Sequence, residues 1–238
     1  MEPSRRLPEV TVRLRANRRI ASRHPWVFAD DVSASNAAAH GDLVRVRDNA
    51  NMVLGIAFWS ARSKIALRMV SLEDVVPDAA FWAARVDSAL ARRGAEIGRW
   101  PARRLLFGEG DGVPGLVADL YGTHLVIQVL TAGTERIIDP VVAALRERLP
   151  IESVLARNDP AVRKLEGLER EVKQLSGTTP DEIVVDEGGI RYAADPWRGQ
   201  KTGAFLDQRE NRVACRAHAR GRVLDAFSYH ASFALHAS

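Results

Sequence analysis

The sequence predicts a multidomain chain of α/β and α+β class: a small β-barrel, a small α/β unit, and the beginning of an open α/β sheet. Three observations predict it. Over residues 8–72, short runs of alternating apolar and polar residues recur between tight polar turns, the pattern of a small barrel rather than of a βαβ unit. From Pro77 to Ala194, strand-like runs alternate with amphipathic helical stretches. From Gly199 a glycine-bounded polar turn leads into a helix, and a short apolar run follows that ends at Asp225.

In chain order, Leu7 to Leu14 alternates Val10, Val12 and Leu14 with Glu9, Thr11 and Arg13, which predicts a half-buried strand. A short helix through Arg18 to Arg23 then delivers His24-Pro25-Trp26, where Pro25 restricts His24 to an extended backbone. Arg18, Arg19, Arg23 and His24 read either as a phosphate-facing set or as a solvated face. Trp26 reads either as a base-stacking platform or, with Phe28, as core. Gly41-Asp42 opens the alternating run Leu43–Arg47, which turns at residues 48–51 into Met52–Trp59, and a third run covers Ile65–Val70.

The second unit, residues 76–194, begins with a helix expected to carry Pro77 in its first turn, where a missing N–H costs nothing. Phe81, Trp82, Val86, Ala89 and Leu90 share one face of it. Strands are predicted at Arg104–Phe107, Leu116–Asp119, Leu125–Val129 and Val154–Ala156, with an amphipathic helix from Ile137 up to Pro150. A hairpin closes the unit: Glu182–Asp186, Gly188-Gly189, Ile190–Ala193. Glu109 and Asp111 resemble a carboxylate pair, but the glycines and Pro114 around them favour a turn. Arg157-Asn158-Asp159-Pro160 reads as a strand end, a helix N-cap at Asp159 and a first helical position at Pro160. Arg157 and Arg163 are candidate RNA contacts.

At 238 residues with 46% hydrophobic content the chain is globular, and no apolar run is long enough for a membrane span. A cytoplasmic location is expected, with no membrane partner. The single cysteine, Cys215, excludes an internal disulfide framework and a multi-cysteine zinc site, and it reads as a packing residue on a helix; no metal site is expected. The net charge of +4 is modest, but residues 1–25 hold seven Arg against Glu2 and Glu9, a concentration that attracts phosphate. Only Lys64, Lys164, Lys173 and Lys201 among the 34 basic residues are lysine. That arginine bias suits RNA, although the base composition of a genome produces the same bias.

The strongest functional signal is Gly199-Gln200-Lys201-Thr202-Gly203-Ala204-Phe205-Leu206-Asp207-Gln208-Arg209-Glu210-Asn211-Arg212 with Asp225, Ser228 and Tyr229. Ligands of open α/β sheets bind beyond the carboxyl ends of the strands, which places a nucleotide-like ligand near Asp225. This stretch resembles the bacterial class I S-adenosylmethionine-dependent methyltransferases that modify C5 of a cytosine in 23S rRNA. The resemblance continues upstream through His24-Pro25-Trp26-Val27-Phe28, Gly108-Glu109, Asp111-Gly112, Pro114-Gly115-Leu116, Arg157-Asn158-Asp159 and Arg163-Lys164-Leu165-Glu166-Gly167-Leu168, and so covers essentially the whole chain.

The resemblance implies a PUA-like RNA-binding β-barrel at 8–72, a small α/β linking domain at 76–194, and the beginning of a Rossmann-like methyltransferase domain at 195–238. It implies S-adenosylmethionine (SAM) as cofactor and ribosomal RNA as partner. Gln200, Lys201, Thr202, Gly203, Phe205, Asp207, Arg209, Asp225, Ser228 and Tyr229 are the implied cofactor-binding residues, and Arg18, Arg19, Arg23 and His24 the RNA-binding ones. Family members add a cysteine thiolate to C6 of the ring so that C5 can accept the methyl group. The matching cysteine is expected beyond Ser238, so the catalytic domain is expected to be cut short and the chain inactive alone. His230-Ala231-Ser232 stands where the family has Thr-Gly-Gly, and an added Cβ there blocks the ligand or strains a positive-φ backbone. The alternative is a non-catalytic RNA-binding protein that keeps the PUA-like surface. An unclosed sheet edge also predicts a homodimer.

Overall fold

A computed structural model describes residues 7–94 and 96–238; Arg5 and Arg6 of the arginine-rich start lie outside the described residues. The N-terminal unit contains β1 (Glu9–Val12), α1 (Leu14–Ala21), β2 (Trp26–Phe28), β3 (Val32–Asn36), β4 (Leu43–Asp48), β5 (Val53–Trp59) and β6 (Ile65–Ser71). They form one sheet in the order β2-β6-β5-β4-β1-β3, with β1 and β4 parallel and the other pairs antiparallel. β2 and β3 stand at opposite ends of that order yet are joined only by Ala29–Asp31. Three linking residues reach about 14 Å at most, whereas six strands laid flat span about 24 Å, so the sheet must curl into a barrel. The alternating Val10, Val12, Val44 and Val46 point inward, and α1 adds Ala16 and Ile20.

α2 (Ala79–Arg93) opens the second unit, followed by α3 (Glu96–Arg99), β7 (Ala102–Phe107), β8 (Leu116–Tyr121), β9 (His124–Val129), α4 (Ala132–Glu135), α5 (Ile138–Arg148), β10 (Ser153–Asn158) and β11 (Glu171–Ser176). The strands order as β11-β10-β9-β8-β7, and only β9 and β10 are parallel, joined across α4 and α5. Period-2 alternation splits the strands between two cores. Leu116, Ala118, Leu120, Leu125, Ile127, Val129, Val154 and Ala156 face α2 and α5, whereas Tyr121, Val126 and Leu155 face the opposite side. That second side is covered by the hairpin β12 (Ile183–Glu187) and β13 (Ile190–Ala194) together with Ala204 and Leu206. The glycine-bounded turn is thus laid directly on a buried sheet face. α6 (Arg209–His218) and α7 (Ser232–Ala237) complete the chain.

The barrel and the second unit share a core. Phe58 and Val70 of the barrel belong to the apolar cluster of Trp82 and Val86, and Phe58 stacks on Trp82 with ring centroids 6.0 Å apart. Gly133 admits that ring, since a Cβ there would overlap Phe58. Trp26 is neither barrel core nor a free stacking platform: its Nε1–H donates to Glu109 Oε1 at 2.7 Å, and Arg68 Nη1 donates to the same oxygen at 2.8 Å. Glu109 is therefore a tie between units. Asp111, 5% exposed, accepts from Arg92, Arg93 and the Phe107 N–H, which confirms a structural role for this pair.

Several expectations are corrected. Pro77 precedes α2 rather than starting it, because Asp78 is the N-cap and accepts from the Phe81 N–H. Asp159 is no N-cap: its carboxylate pairs with Arg157, and Pro160 precedes a 3-10 turn at Ala161–Glu166. The strand expected at Arg222–Leu224 is absent. Its backbone has no neighbouring strand to pair with among the described residues, and Leu224 is 89% exposed. β11 escaped the periodicity because its Val172 and Leu175 are both exposed at the sheet edge.

Candidate functional site

The turn at 199–205 is built from backbone demands that its residue types meet. Gly199 is required by close approach, since a Cβ would sit 2.5 Å from the Asp195 carbonyl oxygen and 2.9 Å from Tyr229 Oη. Lys201 turns the chain at φ +55, and Gly203 lies at φ +131, a region open to glycine alone. A directional chain of hydrogen bonds then pins the turn to β8. The Ala204 N–H donates to Tyr121 Oη (3.1 Å), Tyr121 Oη donates to Thr202 Oγ1 (3.0 Å), and Thr202 Oγ1 donates to Asp119 Oδ2 (2.6 Å). Arg104 completes it with two bonds to Asp119, at 2.8 and 2.9 Å. Burial pushes the Tyr121 phenol well above its usual range, so it remains a neutral donor.

Outside this anchor lies an open cleft of about 490 Å³, within the size range of small-molecule sites. Seven of the expected cofactor residues line it: Gln200, Lys201, Phe205, Asp207, Asp225, Ser228 and Tyr229. The Gln200 N–H donates to Tyr229 Oη at 2.7 Å, closing the turn against the later loop. Lys201 Nζ sits 3.0 Å from Asp207 Oδ1 and 4.4 Å from the Phe205 ring centroid. Partial burial favours the neutral acid at Asp207, yet the hydrogen bond and charge of Lys201 outweigh it and hold the carboxyl below its usual range. Asp225 does not end a strand; its Oδ2 accepts from the Ala234 N–H in the first turn of α7.

Three expected residues do not reach the cleft. Thr202 and Gly203 are buried in the anchor. Arg209 turns to the far side, donating to the Ala102 carbonyl at 2.9 Å and stacking on Trp100. The cleft is also lined by Gln208, Arg212, Ala226, Phe227, Ser232 and Phe233, which were not assigned to the ligand; of these Arg212, 3% exposed, holds Glu187 through two 2.6 Å bonds and donates to the Phe205 carbonyl. Its place at the end of the quoted motif was the available signal; its partner Glu187 on β12 had none.

The expected strain after Tyr229 is real. Ala231 lies at φ +54, a left-handed conformation that costs a Cβ-bearing residue roughly 1–2 kcal/mol. Replacing Ala231 with Gly is expected to raise the unfolding free energy by about 1 kcal/mol, measured by urea titration; a loss of stability would show that the Ala231 methyl packs usefully. Further along, His236 Nδ1 accepts from Arg216 Nε at 3.1 Å, which requires a neutral ring. Burial and then Arg216 hold its pKa below the ordinary 6.5. The folded form binds its proton less readily than the unfolded one, so its contribution is full above about pH 6.5 and lost as pH falls through the lower folded value. The α7 amides should therefore exchange faster at pH 5 than at pH 7.5 after correction for intrinsic rates, and His236→Gln should remove that difference.

On the barrel, Arg19 is committed: it donates to the buried Asp31 at 3.0 Å and lies over Phe28. Arg18, Arg23 and His24 are exposed. Arg157 and Arg163, the other candidate RNA contacts, are interior struts at 3% and 2% exposure. Arg157 donates to the Pro196 and Gly199 carbonyls, and Arg163 to those of Val129 and Glu169. Their guanidiniums satisfy backbone oxygens and cannot reach RNA. Cys215 sits half-buried on α6, outside the cleft lining.

Compared with known protein families, residues 10–72 match the PUA-like domain. The N-terminal barrel is a PUA-like domain. Across the longer chain, the "Ribosomal RNA large subunit methyltransferase I" of Pseudoalteromonas atlantica is 34% identical over 233 residues, covering 96% of this chain and 59% of that protein. The protein of the same name from Alteromonas mediterranea is 38% identical over 220 residues, covering 90% and 55%. The chain thus spans somewhat more than half the length of these relatives. A solved structure described as a candidate SAM-dependent methyltransferase from Streptococcus mutans superposes with TM-score 0.79 at 24% identity, over 96% of this chain and 60% of that one. A second, described as a candidate methyltransferase in complex with SAH, gives TM-score 0.81 at 24% identity over 96% and 59%. Both share the fold of this mixed α/β chain, in which the PUA-like domain precedes the five-stranded unit and the cleft.

Proposed function

We propose that this chain supplies the RNA-binding and cofactor-binding parts of a SAM-dependent methyltransferase acting on a cytosine C5 of 23S rRNA. The observation that carries the reading is the cleft itself. Seven of the ten residues that the resemblance marks for cofactor binding meet in one space of about 490 Å³, on a turn anchored to a buried sheet face. The residues fit the cofactor's chemistry. Phe205, Phe227 and Tyr229 offer apolar walls for a purine, Lys201 offers a cation for a carboxylate, and Asp207 an anion for an ammonium group. When bound, SAM would supply an electrophilic methyl group. The residues of this chain bind and orient: Tyr229 holds the turn closed, and Asp225 seats the helix behind the loop.

Calorimetric titration with SAM tests this directly. Micromolar binding is expected in the wild-type chain, weakened about five- to tenfold by Tyr229→Phe, which removes the acceptor of the Gln200 N–H. No heat with the folded wild-type chain would overturn the cofactor assignment.

A second reading, a non-catalytic RNA-binding role, is favoured by the PUA-like barrel, on which Arg18, Arg23 and His24 are exposed, and by the loop after Tyr229, where Ala231 is held at φ +54. A tritiated-methyl assay on ribosomal RNA separates the readings: methyl transfer by the 238-residue chain refutes the non-catalytic one.

A further inference from the structure

A groove of about 620 Å³ runs between the barrel and the second unit, away from the cofactor cleft. One wall is the turn leading into β6, with Arg62 and Lys64; the other is the 3-10 turn of Ala161–Glu166, with Lys164. Arg62, Lys64 and Lys164 are all exposed. Beside these cations the groove presents apolar surface, with Leu165 64% and Val162 39% exposed. Exposed apolar side chains inside a ring of cations suit neither a folded core nor a plain solvated face.

The walls are held rigidly. The Ala61 N–H donates to His40 Nδ1 (3.2 Å), so the other ring nitrogen carries the proton and donates to the Glu166 carbonyl at 2.7 Å. Gly167, at φ +67, lets the Arg62 guanidinium pack against its α-carbon. The Glu166 side chain, 3% exposed, lines the same groove, yet its Oε1 accepts no hydrogen bond; the nearest cation, Arg68 Nη2, is 3.9 Å away. A buried acceptor left without a donor is costly, and a ligand that brings a donor relieves it.

Resting on the rRNA reading above, we infer that this groove takes an unpaired nucleotide of the substrate RNA. Its flanking phosphates lie on Arg62, Lys64 and Lys164, its base rests on Leu165 and Val162, and an exocyclic amino group of the base donates to Glu166 Oε1. Unpaired bases are the usual targets of sequence-reading RNA contacts, because their edges and faces are free. Cytosine carries such an amino group and uracil does not.

Fluorescence anisotropy with labelled oligo(rC) and oligo(rU) tests the inference on the full chain. Lys64→Ala/Lys164→Ala should weaken binding of both oligomers and reduce the slope of log affinity against log salt by about 1.4, at about 0.7 per lost single-strand phosphate contact. Lys173→Ala, on β11 and outside the groove lining, should change neither. Wild type should favour oligo(rC) by about tenfold, the worth of one hydrogen bond to a charged group, and Glu166→Gln should narrow that ratio. If wild type binds no RNA, the rRNA reading fails and this inference with it. If wild type binds RNA but the lysine pair leaves the slope unchanged, or Glu166→Gln leaves the ratio unchanged, the groove assignment alone is overturned. Poly-glutamate competing as well as RNA would also overturn it, in favour of an acidic protein partner.

Discussion

Replacing Arg212 with Ala is expected to destabilise the protein by about 3–5 kcal/mol, because it strands a buried carboxylate. The Arg212 and Glu187 side chains are 3% and 2% exposed and joined by two parallel 2.6 Å bonds. Without the guanidinium, Glu187 keeps only a long 3.4 Å bond from Tyr192 and a 3.3 Å approach from His236. Neither neutral group compensates a buried charge. The Phe205 carbonyl loses its donor in the same step, so the turn beside the cleft loosens with α6. Urea unfolding followed by circular dichroism reads the loss as a lower midpoint at unchanged slope. Arg212→Met combined with Glu187→Leu should recover most of the stability, since paired buried charges exchange for apolar groups at little cost. A loss below 1 kcal/mol in the single variant would mean that water reaches Glu187.

The second large effect is expected at Asp119, which has no exposed surface and accepts three hydrogen bonds, two from Arg104 and one from Thr202. Asp119→Ala should cost about 3–5 kcal/mol, because it leaves the Arg104 charge without its partner and the Thr202 hydroxyl without its acceptor. The damage should be directional. Tyr121 and the Ala204 amide are bonded through Thr202, so hydrogen exchange at residues 200–205 should rise well beyond that of the barrel strands. Asp119→Asn keeps an acceptor for Thr202 and should cost less. Equal protection of 200–205 in wild type and Asp119→Ala would show that burial of Ala204 and Leu206 holds the turn without the polar chain.

Much of the fold was legible because burial imposes periodicity. Val44 and Val46 on β4, Trp82, Val86 and Ala89 on α2, and Val141 and Leu145 on α5 repeat at the spacing of their elements, and each is buried. The hairpin was legible from Gly188-Gly189 between two alternating runs. β11 was not, since an exposed edge strand needs no apolar alternation. Nor was the fate of Arg222–Leu224, whose apolar run makes a strand only beside another strand's hydrogen-bonding edge.

The candidate site divides the same way. The sequence by itself determined the barrel, the α/β unit and the glycine-bounded turn, because helix and strand periods, turn chemistry and the need for glycine at 199 and 203 are local demands. It also marked the positive-φ position that Ala231 now occupies under strain. Only the tertiary structure decided which polar side chains face the cleft. Thr202 and Gln200 are two residues apart, yet one is sealed against Asp119 and the other meets Tyr229. Arg209 was expected at the cofactor, and Arg157 and Arg163 were open between RNA contact and a structural role; all three serve backbone carbonyls. A guanidinium reaches several ångströms from its backbone and bonds whatever acceptor the packing leaves unpaired, and that acceptor belongs to a distant part of the chain.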